Sequence, residues 1–231
     1  MWLRQPDFGL SADHFADAAS ASIQDRYNDY ARQQEGVGQT QQPGVTGPTE
    51  VEISGKRIYL CFRAEDAGAA DLLNTLDRYN AKATFFCTTD FLEQQDDLLR
   101  RMTGSGHGVG ILAEGEEADA LEQLSAGNRA LARATGQKTR LARLENAGEE
   151  TLEAARAAGY WADVSALKAS RYTLSSSGQA NLLFQSVSTS RGLSCLWMGN
   201  EVASGGLSRF LSLAAGAEDP CLALTETTDI S

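Results

Sequence analysis

The sequence predicts an α/β protein whose parallel strands and helices form a βα barrel, and three observations carry that prediction. From residue 56 onward, short apolar runs alternate with longer segments whose apolar residues recur at helical spacing. Strands that alternate with helices lie parallel, because the crossover helix returns the chain to the same end of the sheet. There are about seven such units, and a closed or nearly closed barrel accommodates that number more economically than an open sheet.

Residues 1–50 do not share this pattern and read as a helical arm followed by a flexible linker. Ser11 is a suitable N-cap, and Phe15, Ile23, Tyr27 and Tyr30 make a thin apolar stripe on one helix face. Gly, Gln, Pro and Thr dominate residues 35–49, a composition that cannot bury a core. The barrel then occupies residues 51–231. Its first strand is Arg57–Phe62, and a helix over 67–79 places Leu72, Leu73, Leu76 and Tyr79 on one face. A strand over Ala83–Cys87 precedes a helix over Asp90–Thr103, which the glycines of GSGHG at 104–108 stop. Gly108–Leu112 is a strand, 118–135 an Ala-rich helix, Thr139–Leu144 a strand and Glu149–Ala158 a helix ended by Gly159. Tyr160–Ala166 reads as a strand, the region near 180–188 as a helix, and Leu193–Met198 as a strand. Val202–Ala215 completes the helices and Cys221–Thr225 the strands.

Bulk properties exclude some functions. A net charge of −11 argues against nucleic acid, since phosphate binding needs clustered Lys and Arg. No run of about 18 apolar residues exists to span a bilayer. The opening residues, MWLRQPD, lack the charged-then-apolar pattern of a secretory signal. Cys61, Cys87, Cys195 and Cys221 show no CxxC pair or zinc-like spacing and sit in apolar runs. They read as buried free thiols, with a disulfide between neighbouring strands left open.

Lys56–Phe62 (KRIYLCF), Leu72–Cys87 (LLNTLDRYNAKATFFC) and Leu98–Gly110 (LLRRMTGSGHGVG) together resemble the polysaccharide deacetylase (NodB-homology) family. The most specific part is YNAKATFF, where a helix ends, turns and enters a strand. The likeness continues through TGQKTRLAR at 135–143, TLEAARAAGY at 151–160 and CLALTE at 221–226. It implies a distorted (β/α) barrel that removes acetyl groups from N-acetylated sugars of chitin, peptidoglycan or related polymers. It also implies one divalent metal held by an Asp and two His, a second Asp as base and a late His as acid. In that chemistry the metal polarises the amide carbonyl and activates water, the base takes a proton, and the acid protonates the leaving amine.

The family's positions fall on unsuitable residues. Its first-strand pair of aspartates falls on Arg63, a permanent cation, at the base and on Ala64 at the metal ligand. Its two metal histidines fall on Leu112 and Glu116, and its late acid on Met198. Its Arg-Pro-Pro-Tyr-Gly motif falls on 143–147, where only Arg143 is kept. The chain has two histidines, His14 and His107, so an imidazole pair plus an imidazole acid cannot exist within it. The resemblance is therefore to a degenerate member, with no catalytic residue, no metal and no cofactor expected.

Other chemistry is weaker. Glu65, Asp66, Glu114, Glu116, Glu117 and Glu145 all follow strand ends, where an oxygen-ligated cation or a carboxylate pair could form. Arg63 beside them instead suggests a salt-bridge network that takes the place of a metal's charge, with Arg143 on the same face and Arg143, Glu145, Glu65 and Asp66 lining a groove. His107 reads as structural, His14 as exposed, and Trp161 and Trp197 as strand residues packed in the core. No G-x-S-x-G is present, and the glycines at 104–110 precede a strand, where a phosphate cradle follows one. Kinship implies an extracytoplasmic or cell-envelope setting, with an envelope glycan or another envelope protein as partner. The two alternatives are a deacetylase with a rebuilt carboxylate site and a protein-binding role for the N-terminal arm.

Overall fold

The computed structural model describes residues 56–64, 68–115, 117–161, 173–190, 194–199, 202–226 and 228, with the side chains of Glu117, Ser194 and Gly199 excepted. All belong to one compact unit, Glu52–Ser231. The helical arm and linker expected over residues 1–50 lie outside the described residues, as does most of the strand expected over 160–166.

In chain order the elements are β1 (Ile58–Ala64), α1 (Ala69–Arg78), β2 (Thr84–Cys87), α2 (Thr89–Gln94), α3 (Asp96–Gly104), β3 (Gly108–Glu114), α4 (Glu117–Thr135), β4 (Ala142–Glu145), α5 (Glu149–Ala157), α6 (Ser177–Thr189), β5 (Ser194–Gly199), α7 (Ser204–Gly216) and β6 (Cys221–Leu222). The six strands form one parallel sheet in the order β4-β3-β2-β1-β5, with β6 also paired to β1. β1 is the hub. One edge pairs with β5; the other pairs with β6 through Ile58 and Tyr59, then with β2 through Cys61–Ala64. The sheet curves as a half-barrel. Arg143 of β4 and Trp197 of β5 stand at opposite ends of this strand order, roughly 19 Å apart in a flat sheet at about 4.8 Å per strand. Yet the Arg143 guanidinium lies 4.0 Å from the Trp197 ring centroid, which requires the inner face to fold on itself.

Alternation along each strand sorts side chains into two cores. Ile58, Leu60, Phe62, Phe85, Val109, Ile111 and Leu144 face the helices, where Leu73, Leu76, Leu99, Leu124 and Phe210 cover them. Tyr59, Cys61, Phe86, Leu112, Leu141 and Leu224 fill the inner face with Trp161, Cys195 and Trp197. Gly110 makes room there: a Cβ on it would stand 2.5 Å from the Phe86 ring. The YNAKATFF segment is a helix stop followed by a strand start. Asn80 takes φ 49°, Ala81 N–H donates to Leu76 O at 3.0 Å, and Lys82 N–H donates to Cys221 O at 2.9 Å. That last bond ties the end of the chain under β2.

Two elements differ from expectation. The helix expected over Asp90–Thr103 is two helices, α2 and α3, broken at Gln95, whose backbone sits at φ −113°, ψ 46°. The final strand is only Cys221–Leu222; beyond it Leu224 N–H donates to the buried Thr84 hydroxyl at 2.8 Å instead of extending a ladder. Trp161 forms an isolated parallel bridge with Leu141. Among the described residues no helix is long and apolar enough to cross a membrane.

Candidate functional site

The C-terminal ends of β1, β3 and β4 bring three of the expected residues together with Glu114. Arg63 Nη1 donates to Glu145 Oε2 at 2.9 Å and to Glu114 Oε1 at 3.2 Å. Arg143 Nε donates to the other oxygen of Glu145, Oε1, at 3.4 Å. Glu145 thus spans two guanidiniums, and the Arg143 plane rests on the indole of Trp197. Trp197 in turn meets Phe86 edge-on, with centroids 5.8 Å apart. The network roofs the apolar inner core, so each of these charges is mostly covered but still reaches solvent: side-chain exposure is 27% for Arg63, 24% for Glu145 and 15% for Arg143.

Neighbouring backbone fixes the roof. Glu114 N–H donates to Gln123 Oε1 at 3.1 Å, and Gln123 Nε2 donates back to Glu114 O at 2.8 Å, pinning the end of β3 to α4. Gly115 N–H donates to Glu145 O, joining the ends of β3 and β4. Asn146 then leaves β4 at φ 57°, a turn that Asn tolerates because its short side chain bonds locally.

The other expected positions behave differently. Ala64 and Met198 point to the helix side and are buried in the outer core, away from Arg63. Met198 faces outward by plain alternation with the inward Cys195 and Trp197, and a register shift beside it pairs Gly199, not Met198, with Phe62. Leu112 is on the inner face but buried between Phe86 and Leu141 in the apolar cluster. Glu65, Asp66 and Glu116 lie outside the described residues. Of the strand-end acids expected to join Arg63 in a salt-bridge network, Glu114 and Glu145 are its described partners. The Arg143–Trp197 stack was not foreseen, because it joins strands that are not neighbours in the sheet.

This arrangement does not fit a divalent metal. Among the described residues the donors that converge are two carboxylates already bonded to guanidinium, and a cation there would meet two fixed positive charges. Among the described residues no group of three His, Cys, Asp or Glu could hold a metal. Of the histidines, His107 lies in the loop before β3, buried, with Nδ1 accepting from Ala83 N–H at 3.3 Å. Beneath the roof, Cys61 and Cys195 face each other across β1 and β5 with sulfurs 4.0 Å apart, both as free thiols. Burial, helped by the neighbouring Cys195, holds the Cys61 thiol well above its ordinary range, which suppresses the thiolate that nucleophilic chemistry needs.

Comparison with known proteins identifies the lineage. Residues 50–162 match the family model for polysaccharide deacetylase. No curated protein matches the chain. Among solved structures, a polysaccharide deacetylase from Bacillus cereus is 19% identical, with 76% of this chain and 95% of that one covered and a TM-score of 0.60. A family 4 carbohydrate esterase from Streptomyces lividans in complex with acetate is also 19% identical, covering 74% of this chain and 93% of that one with a TM-score of 0.60. A mutant of a family pseudoenzyme with restored enzymatic activity is 17% identical, covering 77% of this chain and 69% of that one with a TM-score of 0.56. These likenesses establish a common fold. Taken with the family model, they place the chain in the polysaccharide deacetylase (NodB-homology) family.

Proposed function

We propose that this protein is a non-catalytic member of its family, a domain that binds cell-envelope glycan or a glycan-associated partner at the mouth of its half-barrel and releases no acetate. The observation that carries the reading is the position of Arg63, held between Glu114 and Glu145 where the family resemblance puts a catalytic base. A guanidinium remains protonated at any physiological pH and cannot take a proton from water. Leu112 and Met198, at positions where the resemblance expects imidazoles, supply neither a ligand nor an acid. Loss of activity on this fold has a parallel in the matched family pseudoenzyme. The partly exposed Arg63, Glu114 and Glu145 offer paired donors and acceptors of the kind that sugar hydroxyls use.

The test is twofold. The full chain is incubated with an acetylated chito-oligosaccharide, with and without added zinc or manganese, and free acetate is measured. Calorimetric titration with the same oligosaccharide and with a soluble peptidoglycan fragment then measures binding. Binding without acetate release is the expected result. Metal-dependent acetate release would overturn the reading in favour of a site rebuilt on carboxylates.

A further inference from the structure

We propose a second binding site, for a small ligand carrying phosphate or carboxylate oxyanions, at the opposite end of the strands from Arg63. A cavity of about 500 Å³ opens there between α4, the segment leading into β4 and the turn after α5. That volume is in the range of pockets that hold small molecules. Arg129, Lys138 and Arg140 line it, together with Asn128 and Tyr160.

Three cations meeting at one cavity is unusual in a chain of net charge −11. Their counter-charges are few. Arg129 and Lys138 make no hydrogen bond or ion pair among the described residues. Among the described residues Arg140 has only Glu226 as a counter-charge, at 4.0 Å from its Nε, and Glu226 is also engaged by the Arg140 backbone N–H at 3.1 Å. By contrast Arg100, Arg101 and Arg156 on other faces each bond a carboxylate within 3.3 Å.

The wall behind these cations is rigid. Asn128 Nδ2 donates to Thr139 O at 2.9 Å and to Tyr160 Oη at 3.1 Å, while Thr139 N–H donates to Asn128 Oδ1 at 2.9 Å. The amide is used up in holding α4, the β4 approach and Tyr160 together, so the cations project from a fixed floor. A preorganised group of Arg and Lys on one concave surface is what recognises an oxyanion, since charge-assisted bonds to it are stronger than neutral ones. The single acid, Glu226, would repel such a ligand and weaken the hold of Arg140 on it.

The experiment is calorimetric titration of the full chain, at low salt, with inorganic pyrophosphate and separately with citrate. The two arms distinguish a phosphate ligand from a carboxylate one. Saturable binding of either is expected, weakened by added salt. The double variant Arg129→Gln, Lys138→Gln is expected to lose about tenfold or more in affinity, the loss of a charged hydrogen bond or two. Glu226→Gln is expected to tighten binding, an outcome that a merely structural Glu226 would not give. Arg63→Gln, at the far end of the strands, leaves the affinity as it was. Absence of saturable binding by both probes, or an unchanged affinity in the double variant, would overturn the proposal. So would a loss in Arg63→Gln equal to that of the double variant. Both substituted cations are exposed, and a thermal melt of each variant confirms that the fold is kept.

Discussion

Arg63 holds apart two carboxylates that would otherwise face each other across the ends of β3 and β4. Replacing it by Gln keeps a hydrogen-bond donor but removes the charge. Glu114 and Glu145 then repel, and the variant is expected to lose about 1 kcal/mol, discounted for the solvent that reaches all three groups. The freed pair is also expected to attract a hard cation, so millimolar calcium should raise the melting temperature of Arg63→Gln and leave the parent unchanged. Equal responses of the two proteins to calcium would refute this account. His107 makes a separate, pH-dependent contribution. Burial is the main cause that lowers its pKa below 6.5, Lys82 adds to it, and Asp77 opposes it. Its Nδ1 accepts from Ala83 N–H, so the ring is neutral, with Nε2 unbonded 3.7 Å from Asp77 Oδ1. As pH falls below 6.5 the unfolded chain takes up the proton first, so stability is constant above that value and declines beneath it. Asp77 acts in a lower window: its hydrogen bond from Arg101 lowers its pKa from 3.8, so its contribution fades only below that value. The urea midpoint of His107→Gln should therefore be flatter between pH 7 and pH 5 than that of the parent; parallel curves would refute the assignment. That Arg63, Arg143 and Glu145 share one face was legible, because a strand end and a charge are both visible in sequence, and the structure brings the three together. The outward face of Met198 was missed because the resemblance carried the acid position onto it, whereas alternation after the inward Cys195 and Trp197 turns it toward the helices.

At the scale of elements, α7 is seated by the absence of a side chain. A Cβ on Gly206 would lie 1.9 Å from Leu174 O, and Ala203 N–H donates to that same carbonyl at 3.0 Å. The helix therefore touches the chain before α6 backbone to backbone. Gly206→Ala must push the two apart, at an expected cost of about 3 kcal/mol in denaturant unfolding; a change under about 0.5 kcal/mol, ordinary for a surface site, would mean that the segment yields freely. Gly206 carried no signal of this in the sequence, where glycine at a helix start reads as a weak cap. The break between α2 and α3 was hidden for a different reason. Phe91, Leu92, Leu99 and Met102 are spaced as one continuous helix face, and all four are buried. Periodicity is blind to a kink that keeps the phase. The signal that could have shown it is the pair Asp96–Asp97, acids that favour the first turn of a new helix. The turn at Asn80 was legible because its chemistry is local: a left-handed residue after a helix is Asn or Gly.

At the scale of the whole molecule, the alternation of strand and helix was enough to specify a parallel sheet, since each signal lies within one segment. The partnership of β6 with β1 was not legible, because it joins residues more than 160 apart through two residues of ladder. That partnership decides how stability is distributed. β1 has a neighbour on both edges at Ile58, Tyr59, Cys61 and Phe62, and its two faces are covered by the outer and inner cores. Its amides can reach solvent only when β2, β5 and β6 all separate, which is global unfolding. β4 is held by β3 and, among the described residues, by only the Leu141–Trp161 bridge beyond it. Local opening of β4 breaks far fewer contacts and does not disturb the hub. Hydrogen exchange followed by mass spectrometry should therefore rank peptides from 58–62 as the slowest in the protein, with peptides from 142–145 exchanging at least about tenfold faster, a difference of about 1.4 kcal/mol in opening free energy. If the β4 peptides proved as slow as those of β1, the sheet would open as one cooperative unit, and β1 would not be its hub.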